Sequence, residues 1–308
     1  GGAGTTVRTA DGFVEDVPAS DNAAGEWNTL YVKVSDDRIT VVENGVTVVG
    51  NRTMENLREP GMPVDVTGTV WIAGLGSPVE LRDMWLRELP STPLYELSEE
   101  ERAEGFELLF DGRSLHKWTG NKVNYVPLDG TIDVTASYGG GGNLYTKKEY
   151  GDFILRFEFR FLHEAVNNGI GIRTPMGVDA AFDGMEIQVL DHDAPIYRDL
   201  HAYQQHGSVY GVIAAKRVVF PPLGEWNVEE IRAVGDHITV TVNGEVILDG
   251  NIREACQGHA VAPDGGTENP YMIDHRNHPG LFNKRGHIAF CGHGAGIQSV
   301  SYTHLRAH

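Results

Sequence analysis

The sequence predicts an all-β protein, an antiparallel β-sandwich present as one nearly complete copy behind the second half of another. Three observations carry that prediction. Runs of strict apolar–polar alternation recur along the chain, turn signals separate them at short intervals, and a block near the start is repeated, in order, toward the end.

The repeat begins at Gly25-Glu26-Trp27-Asn28, which recurs as Gly224-Glu225-Trp226-Asn227. Each copy continues into alternation and then a turn: Asp37, Ile39, Thr40 and Val41 lead to Asn44-Gly45, and Asp236, Ile238, Thr239 and Val240 lead to Asn243-Gly244. Asn-Gly between alternating runs signals a hairpin, because both turn residues need positive φ. Further on, Gly68-Thr-Val-Trp-Ile-Ala-Gly74 pairs with Gly286-His-Ile-Ala-Phe-Cys-Gly292. Copy two holds roughly 19 more residues between Asn251 and Arg285, rich in Pro, Gly, Asn and His, which reads as a functional loop or lid. The first copy closes with an alternating strand over Leu81 to Leu89.

Residues 1–90 are therefore expected to be the C-terminal half of a first copy, whose apolar edges and faces stay uncovered unless they dock elsewhere. Residues 91–104 read as a linker and short helix, capped by Ser98 with Glu101 three residues later. Residues 105–298 read as the second copy. Within it Phe153, Leu155, Phe157, Phe159 and Phe161 alternate with Ile154, Arg156, Glu158 and Arg160, the pattern of a half-buried strand. Met185, Ile187 and Val189 alternate with Glu186, Gln188 and Leu190, and Ile170 and Ile172 with Gly169, Gly171 and Arg173. Trp27 and Trp226 precede such runs and are expected in the core. Residues 299–308 are expected to be a non-native tail. Where the repeat predicts a closing strand, Val300 to His308 match, residue for residue, the translation of a transposon adapter used in sequencing libraries. The alternative is a divergent native strand, since Val300, Tyr302 and His304 alternate with Ser and Thr.

Composition bounds the partners. The 308 residues are 41 % hydrophobic and 22 % charged, with 38 Gly and 14 Pro, which suits a packed fold with many tight turns. A net charge of −18 argues against nucleic acid, whose phosphates need a basic surface. No stretch approaches the roughly 18 apolar residues of a membrane span. Cys256 and Cys291 leave thiols and a bridge both open. The chain starts Gly1-Gly2-Ala3 without Met, so its true start is expected upstream. Oligomeric state is left open.

At this point the motifs resemble a known family. Gly105-Phe-Glu-Leu-Leu-Phe-Asp-Gly112 with Leu115 and Trp118 is similar to its opening. Leu144-Tyr-Thr, Tyr150-Gly-Asp-Phe153, Asn168-Gly169 with Arg173, and Gly184-Met-Glu-Ile-Gln-Val-Leu-Asp191 follow. Gly207-Ser-Val-Tyr210, Gly224-Glu-Trp-Asn227 and Gly292-His-Gly294 come last. In this order they resemble the 3-keto-disaccharide hydrolase family, over residues 94–298 and again, for the later half, over 25–89. The resemblance implies a concanavalin A-like jelly roll with a concave face, a carbohydrate substrate, and a periplasmic or extracellular location. It implies cleavage of 3-keto-glycosides, by hydrolysis or elimination. No cofactor is expected.

Alternation places Glu186 and Gln188 on the face opposite Met185, Ile187 and Val189, and Arg173 opposite Ile170 and Ile172. A ketone at sugar carbon 3 acidifies the proton on carbon 2. Glu186 suits the base that removes it, Arg173 and Gln188 the stabilisers of the enolate oxygen, and His293 the acid for the leaving group. Asn168, Asp191, Tyr210 and His278 are the expected substrate-binding residues. Direct hydrolysis would pair Glu186 with a second carboxylate, Asp191, which alternation puts on the opposite face. His275 and His278, with His293 or Glu186, invite a metal reading, against which polar loop residues beside Pro279-Gly280 are the simpler account. The competing reading is a non-catalytic carbohydrate-binding module on the same fold, which would show exposed aromatic platforms in place of a converged pocket.

Overall fold

The computed structural model describes residues 5–8, 14–17, 19–65, 67–73, 76, 78–134, 142–293 and 297–307. In the first copy, β1 (Thr5–Arg8) pairs with β2 (Val14–Val17). A three-stranded meander follows, of β3 (Leu30–Ser35), β4 (Arg38–Glu43) and β5 (Val46–Thr53). The expected closing strand over Leu81 to Leu89 does not form: the described residues from 54 to 98 contain no strand, and Trp71, Trp85 and Leu86 are exposed. A strand exists only by pairing, and the second copy shows which partners are needed.

That copy is preceded by α1 (Glu99–Glu104), where Ser98 and Glu101 form the expected capping box and Gly105 ends the helix in the left-handed region. The strands that follow are β6 (Glu107–Leu108), β7 (Trp118–Gly120), β8 (Tyr125–Leu128), β9 (Thr131–Val134), β10 (Leu144–Thr146), β11 (Phe153–Phe161) and β12 (Asn167–Thr174). After the one-turn helix α2 (Ala180–Asp183) come β13 (Met185–Leu190), β14 (Asn227–Val234), β15 (His237–Val242) and β16 (Glu245–Asn251). A short α3 (Ile252–Ala255), β17 (His287–Gly292) and β18 (Ile297–Ala307) complete the chain order.

These strands make two antiparallel sheets. One has five strands in the order β13-β12-β17-β10-β7; the other has eight, β16-β15-β14-β11-β18-β9-β8 with β6 against β18. Phe153, Leu155, Phe157, Phe159 and Phe161 project from β11 between the sheets and meet Ile170, Ile172, Met185, Ile187 and Val189, all buried. Each such side chain withdrawn from water stabilises the fold by about 1.5–3 kcal/mol. The two-sheet sandwich predicted from alternation is the fold observed.

The repeat extends to individual hydrogen bonds. Asn44 Oδ1 accepts from Thr29 N and Asn44 Nδ2 donates to Asn28; Asn243 does the same with Val228 N and Asn227. A register slip lies between Val41 and Val42 in one copy and between Val240 and Thr241 in the other. The copies differ in their neighbours. In the second, β14 is covered along one edge by β11, whereas β3 has no strand there among the described residues, and Leu30, Tyr31, Val32 and Val34 are exposed. β17 lies between β12 and β10, and β18 between β11 and β9. Among the described residues no strand from residues 1–90 takes the place of those flanking strands, and the described residues of 68–89 form no strand.

The first copy docks through its β3–β4 turn. Asp37, buried there, accepts from Leu115 N and Ser114 Oγ, both at 3.2 Å, and Arg38 donates to Lys122 O at 2.8 Å. Trp27 and Trp226, expected in the core, are 45 % and 36 % exposed. Each lies beneath an arginine guanidinium, Arg82 at 4.0 Å and Arg160 at 4.4 Å, and a face given to a cation is not a core face. The segment expected to be a foreign tail lies in β18. Its pairing with β11 runs cleanly at both ends but slips between Arg156–His304 and Glu158–Val300, inside that segment.

Candidate active site

The outer face of the five-stranded sheet is built around two glycines. On β12, Gly169 and Gly171 stand opposite Gln188 and Glu186 of β13. A Cβ at Gly169 would lie 1.9 Å from Glu186 Oε1, so the missing side chain is what lets the Glu186 carboxylate lie flat over β12. Glu186 is 5 % exposed, and its Oε1 makes no hydrogen bond among the described residues. Among the described residues its ion-pair contact is His293 Nε2 at 3.5 Å, a loose approach from a side chain that is 54 % exposed. The Glu186 carboxylate holds the His293 imidazole above the usual histidine range, burial opposing it, and the Asp179 carboxylate acts in the same direction as Glu186. The result is a buried carboxylate beside an accessible imidazole.

Two further residues complete this face. Gln188 follows Glu186 at the next outward position and donates Nε2–H to Asn167 Oδ1 at 2.7 Å. Tyr210 N donates to Glu186 O at 2.9 Å, which lays the 207–213 segment along β13 and sets half-buried Tyr210 across from Glu186. The Tyr210 hydroxyl accepts from Gln204, and its ring meets Tyr203 edge-on at 6.0 Å.

Other expected site residues are placed elsewhere. Arg173 does not share the face with Glu186. β12 slips register against β17 between Gly171 and Thr174, and Arg173 takes a positive φ of 50°, so the alternation that aimed it outward fails at that residue. Its guanidinium is 1 % exposed and donates to Gly151 O at 2.8 Å, Gly235 O at 2.7 Å and Asp152 Oδ1 at 2.9 Å. Asn168 points between the sheets, in step with Ile170 and Ile172, and lines a small interior cavity with Tyr125, Phe157 and Phe290. Asp191 lies past the end of β13, buried, with Oδ2 accepting from Ala165 N at 3.0 Å. It belongs to a cleft of about 220 Å³ with Phe161, Glu164 and Phe220, and forms no pair with Glu186.

His278 is buried in the long insertion. Its Nδ1 lies 2.8 Å from Ala181 O and its Nε2 3.0 Å from Asp274 Oδ2. Both nitrogens thus lie against oxygen atoms that fix the ring within the insertion. The metal reading loses its geometry here: His278 is committed to α2, His275 is exposed, and no group of three His, Cys, Asp or Glu among the described residues is gathered to hold an ion. The insertion grips α2 again through Gly280 N to Phe182 O and Asn283 Nδ2 to Asp183 O. It is therefore a packed wall beside the site. Sequence reasoning missed Asp179. An Asp before Ala-Ala-Phe is a helix-cap signal, but nothing in the chain order shows that its charge reaches His293.

Fold and site together define a two-sheet jelly roll with a carboxylate–imidazole pair on its open face. The chain belongs to the family described as the 3-keto-alpha-glucoside-1,2-lyase-like domain, which matches residues 1–87 and again 105–306. A curated Bacteroides thetaiotaomicron protein, named 3-keto-disaccharide hydrolase, is 27 % identical over 173 residues, 48 % of this chain and 59 % of that protein. The chain thus spans under two thirds of that relative's length. A Parabacteroides distasonis crystal structure at 2.00 Å, provisionally assigned as a glycosyl hydrolase, aligns with a TM-score of 0.55 at 23 % identity, over 66 % of this chain and 99 % of its own. Another from the same organism, at 1.70 Å, gives 0.55 at 20 % identity, over 69 % and 98 %. At these identities the likeness is one of fold.

Proposed function

We propose that the second copy is a carbohydrate-active enzyme that cleaves 3-keto-glycosides by elimination, with Glu186 as base and His293 as acid. The observation that carries this reading is the buried Glu186 Oε1 without a hydrogen-bond partner, 3.5 Å from an exposed imidazole whose proton it favours. A carboxylate buried with one oxygen unpaired is costly in a purely structural role. In a sugar bearing a ketone at carbon 3, Glu186 takes the proton from carbon 2. The electron pair forms the carbon 1–carbon 2 double bond, the bond from carbon 1 to the glycosidic oxygen breaks, and that oxygen receives the proton of His293. Gln188 is near enough in register to aim its amide at the enolate oxygen. Arg173 has no part in this step, because its guanidinium is buried away from this face and held by Gly151, Gly235 and Asp152.

Direct hydrolysis through Glu186 and Asp191 is disfavoured by the separate placement of Asp191. Family membership and the name of the Bacteroides relative support the sugar class. The test is turnover of a 3-keto-glucoside by the whole chain and by Glu186→Gln. The reading expects at least a hundredfold loss of turnover, the usual minimum for removing a general base, with an unchanged melting temperature. Full activity in the variant would sink it, and sugar binding without turnover by the wild type would favour the binding-module reading.

A further inference from the structure

We propose that a surface aromatic cluster of His201, Tyr203 and Tyr210 is the subsite for the oxidised sugar ring, so that a 3-keto-glycoside lies across Glu186 with its ketone toward Tyr210 and its leaving group toward His293. The proposal rests on the elimination reading above and adds the direction in which the substrate lies.

The sheet sets the positions. Along one edge β13 pairs with β12, and β12 pairs in turn with β17, whose last residue precedes His293. Along its other edge β13 is bonded to the 207–213 segment. Gly207 N donates to Gln188 O at 2.8 Å, Gln188 N to Ser208 O at 3.0 Å and Tyr210 N to Glu186 O at 2.9 Å. Val209 stands opposite Ile187, and both side chains are buried between the sheets. Tyr210, the next residue, therefore turns to the outer face beside Glu186. Tyr210 and His293 thus flank Glu186 from opposite sides.

The other two rings are brought to Tyr210 by a tight helical turn, Ala202–Gln204, which is pinned to the 207–213 segment where Ser208 Oγ donates to Ala202 O at 3.1 Å. Gln204 joins the cluster: its Oε1 accepts from His201 N at 3.1 Å, and its Nε2 donates to the Tyr210 hydroxyl at 3.4 Å. The Tyr203 ring stacks on the His201 ring, with centroids 5.2 Å and planes 6° apart, and meets the Tyr210 ring edge-on at 6.0 Å. His201 is exposed, and the two tyrosines are half-buried and stand outside the hydrophobic core. Rings ordered in this way suit a pyranose, whose carbon–hydrogen face is apolar and whose hydroxyls need polar partners such as a phenol. The chemistry then fixes the direction. In the substrate, carbon 2 stands between carbon 1 and carbon 3. With carbon 2 over Glu186 and the oxygen of carbon 1 against His293, carbons 3 and 4 extend to the opposite side, toward Tyr210 and Tyr203. The leaving group extends past His293, away from the cluster.

The decisive variant is Tyr203→Leu, which keeps apolar bulk but removes the ring; Tyr203→Phe keeps the ring. Two substrates separate the two sides of the site: a methyl 3-keto-glucoside, whose leaving group is only methanol, and a 3-keto-disaccharide. The readouts, in the whole chain, are kcat and KM on each substrate and the melting temperature. We expect Tyr203→Leu to raise KM roughly tenfold on both substrates, the worth of one ring contact, with the melting temperature unchanged and Tyr203→Phe close to wild type. A KM raised on the disaccharide alone would put the leaving group on the cluster and overturn the proposal. Unchanged KM values on both substrates in the folded Tyr203→Leu variant, with wild-type turnover intact and Glu186→Gln inactive, would also overturn it and leave the enzymatic reading standing. A wild type that turns over neither substrate would remove the enzymatic reading itself, and the proposal with it.

Discussion

The Arg173 guanidinium makes three hydrogen bonds, none within its own strand: to the carbonyls of Gly151 and Gly235 and to the Asp152 carboxylate. It ties the end of β12 to the start of β11 and to the β14–β15 turn. Truncating it strands two carbonyl acceptors, since Asp152 is partly exposed and can turn to water. Arg173→Ala should cost about 3 kcal/mol of stability, in line with the loss of charge-assisted bonds at a buried site. Urea unfolding measures that loss, and kcat of the folded fraction should stay near wild type. A lower kcat at unchanged stability would return Arg173 to the chemistry. Residue by residue, alternation was a good guide only where the ladder is regular. Glu186 and Gln188 lie on the face it gave them. Asn168 obeys the same rule, in step with Ile170 and Ile172, which places it between the sheets and not among substrate contacts on the outer face. Arg173 breaks the rule at a bulge that no neighbouring residue announces.

At the scale of elements, β14 turns a carboxylate inward. Glu229 and His206 are both fully buried, with His206 Nε2 3.3 Å from Glu229 Oε2. His206 Nδ1 accepts from Leu190 N, so its proton faces Glu229. The matching position in the first copy is Leu30. Removing one partner strands the other, and Glu229→Ala should destabilise the domain by about 3 kcal/mol. Glu229→Leu with His206→Phe should recover most of that, because an apolar pair of similar volume needs no partners. Calorimetry on the two variants decides the point; an equal loss in both would mean that packing, not polarity, sets the cost. The hairpins β4–β5 and β15–β16 were legible from Asn-Gly and its flanking alternation, and α1 from its capping box. The strand expected over Leu81 to Leu89 was legible as a pattern too, but a pattern supplies only one side of a ladder. The grip of the insertion on α2 was out of reach, since it depends on contacts between residues far apart in sequence.

For the whole molecule, the joint between the copies is sensitive to pH and weakens as pH rises. Burial pushes the Asp37 carboxyl up to about 6, with Arg38, Leu115 N, Ser114 and Lys122 each opposing the shift. The docked form therefore binds the proton more tightly than the undocked chain does. Docking is strongest below the ordinary carboxylate pKa of 3.8 and weakens as pH rises through about 6. A shift of this size corresponds to about 3 kcal/mol across that window, an order-of-magnitude figure. Protection of the Leu115 amide in hydrogen exchange, corrected for intrinsic rate, should fall between pH 4 and pH 7, roughly the interval between the two protonation states. Asp37→Asn, which keeps an acceptor without a charge, should flatten that dependence, and a slope that survives the substitution would place the titrating group elsewhere.

The last strand in chain order occupies one of the central positions of the larger sheet. β18 separates β11 from β9, and both neighbours precede it by more than half of the domain. Until β18 arrives, β11 and β9 each present an open ladder, and the aromatic row on β11 has only half a sheet behind it. Time becomes the relevant quantity. Ladders closed between distant parts of a chain form late and slowly. A growing chain would pass through a stage in which two sticky edges wait for a segment that the ribosome has yet to release.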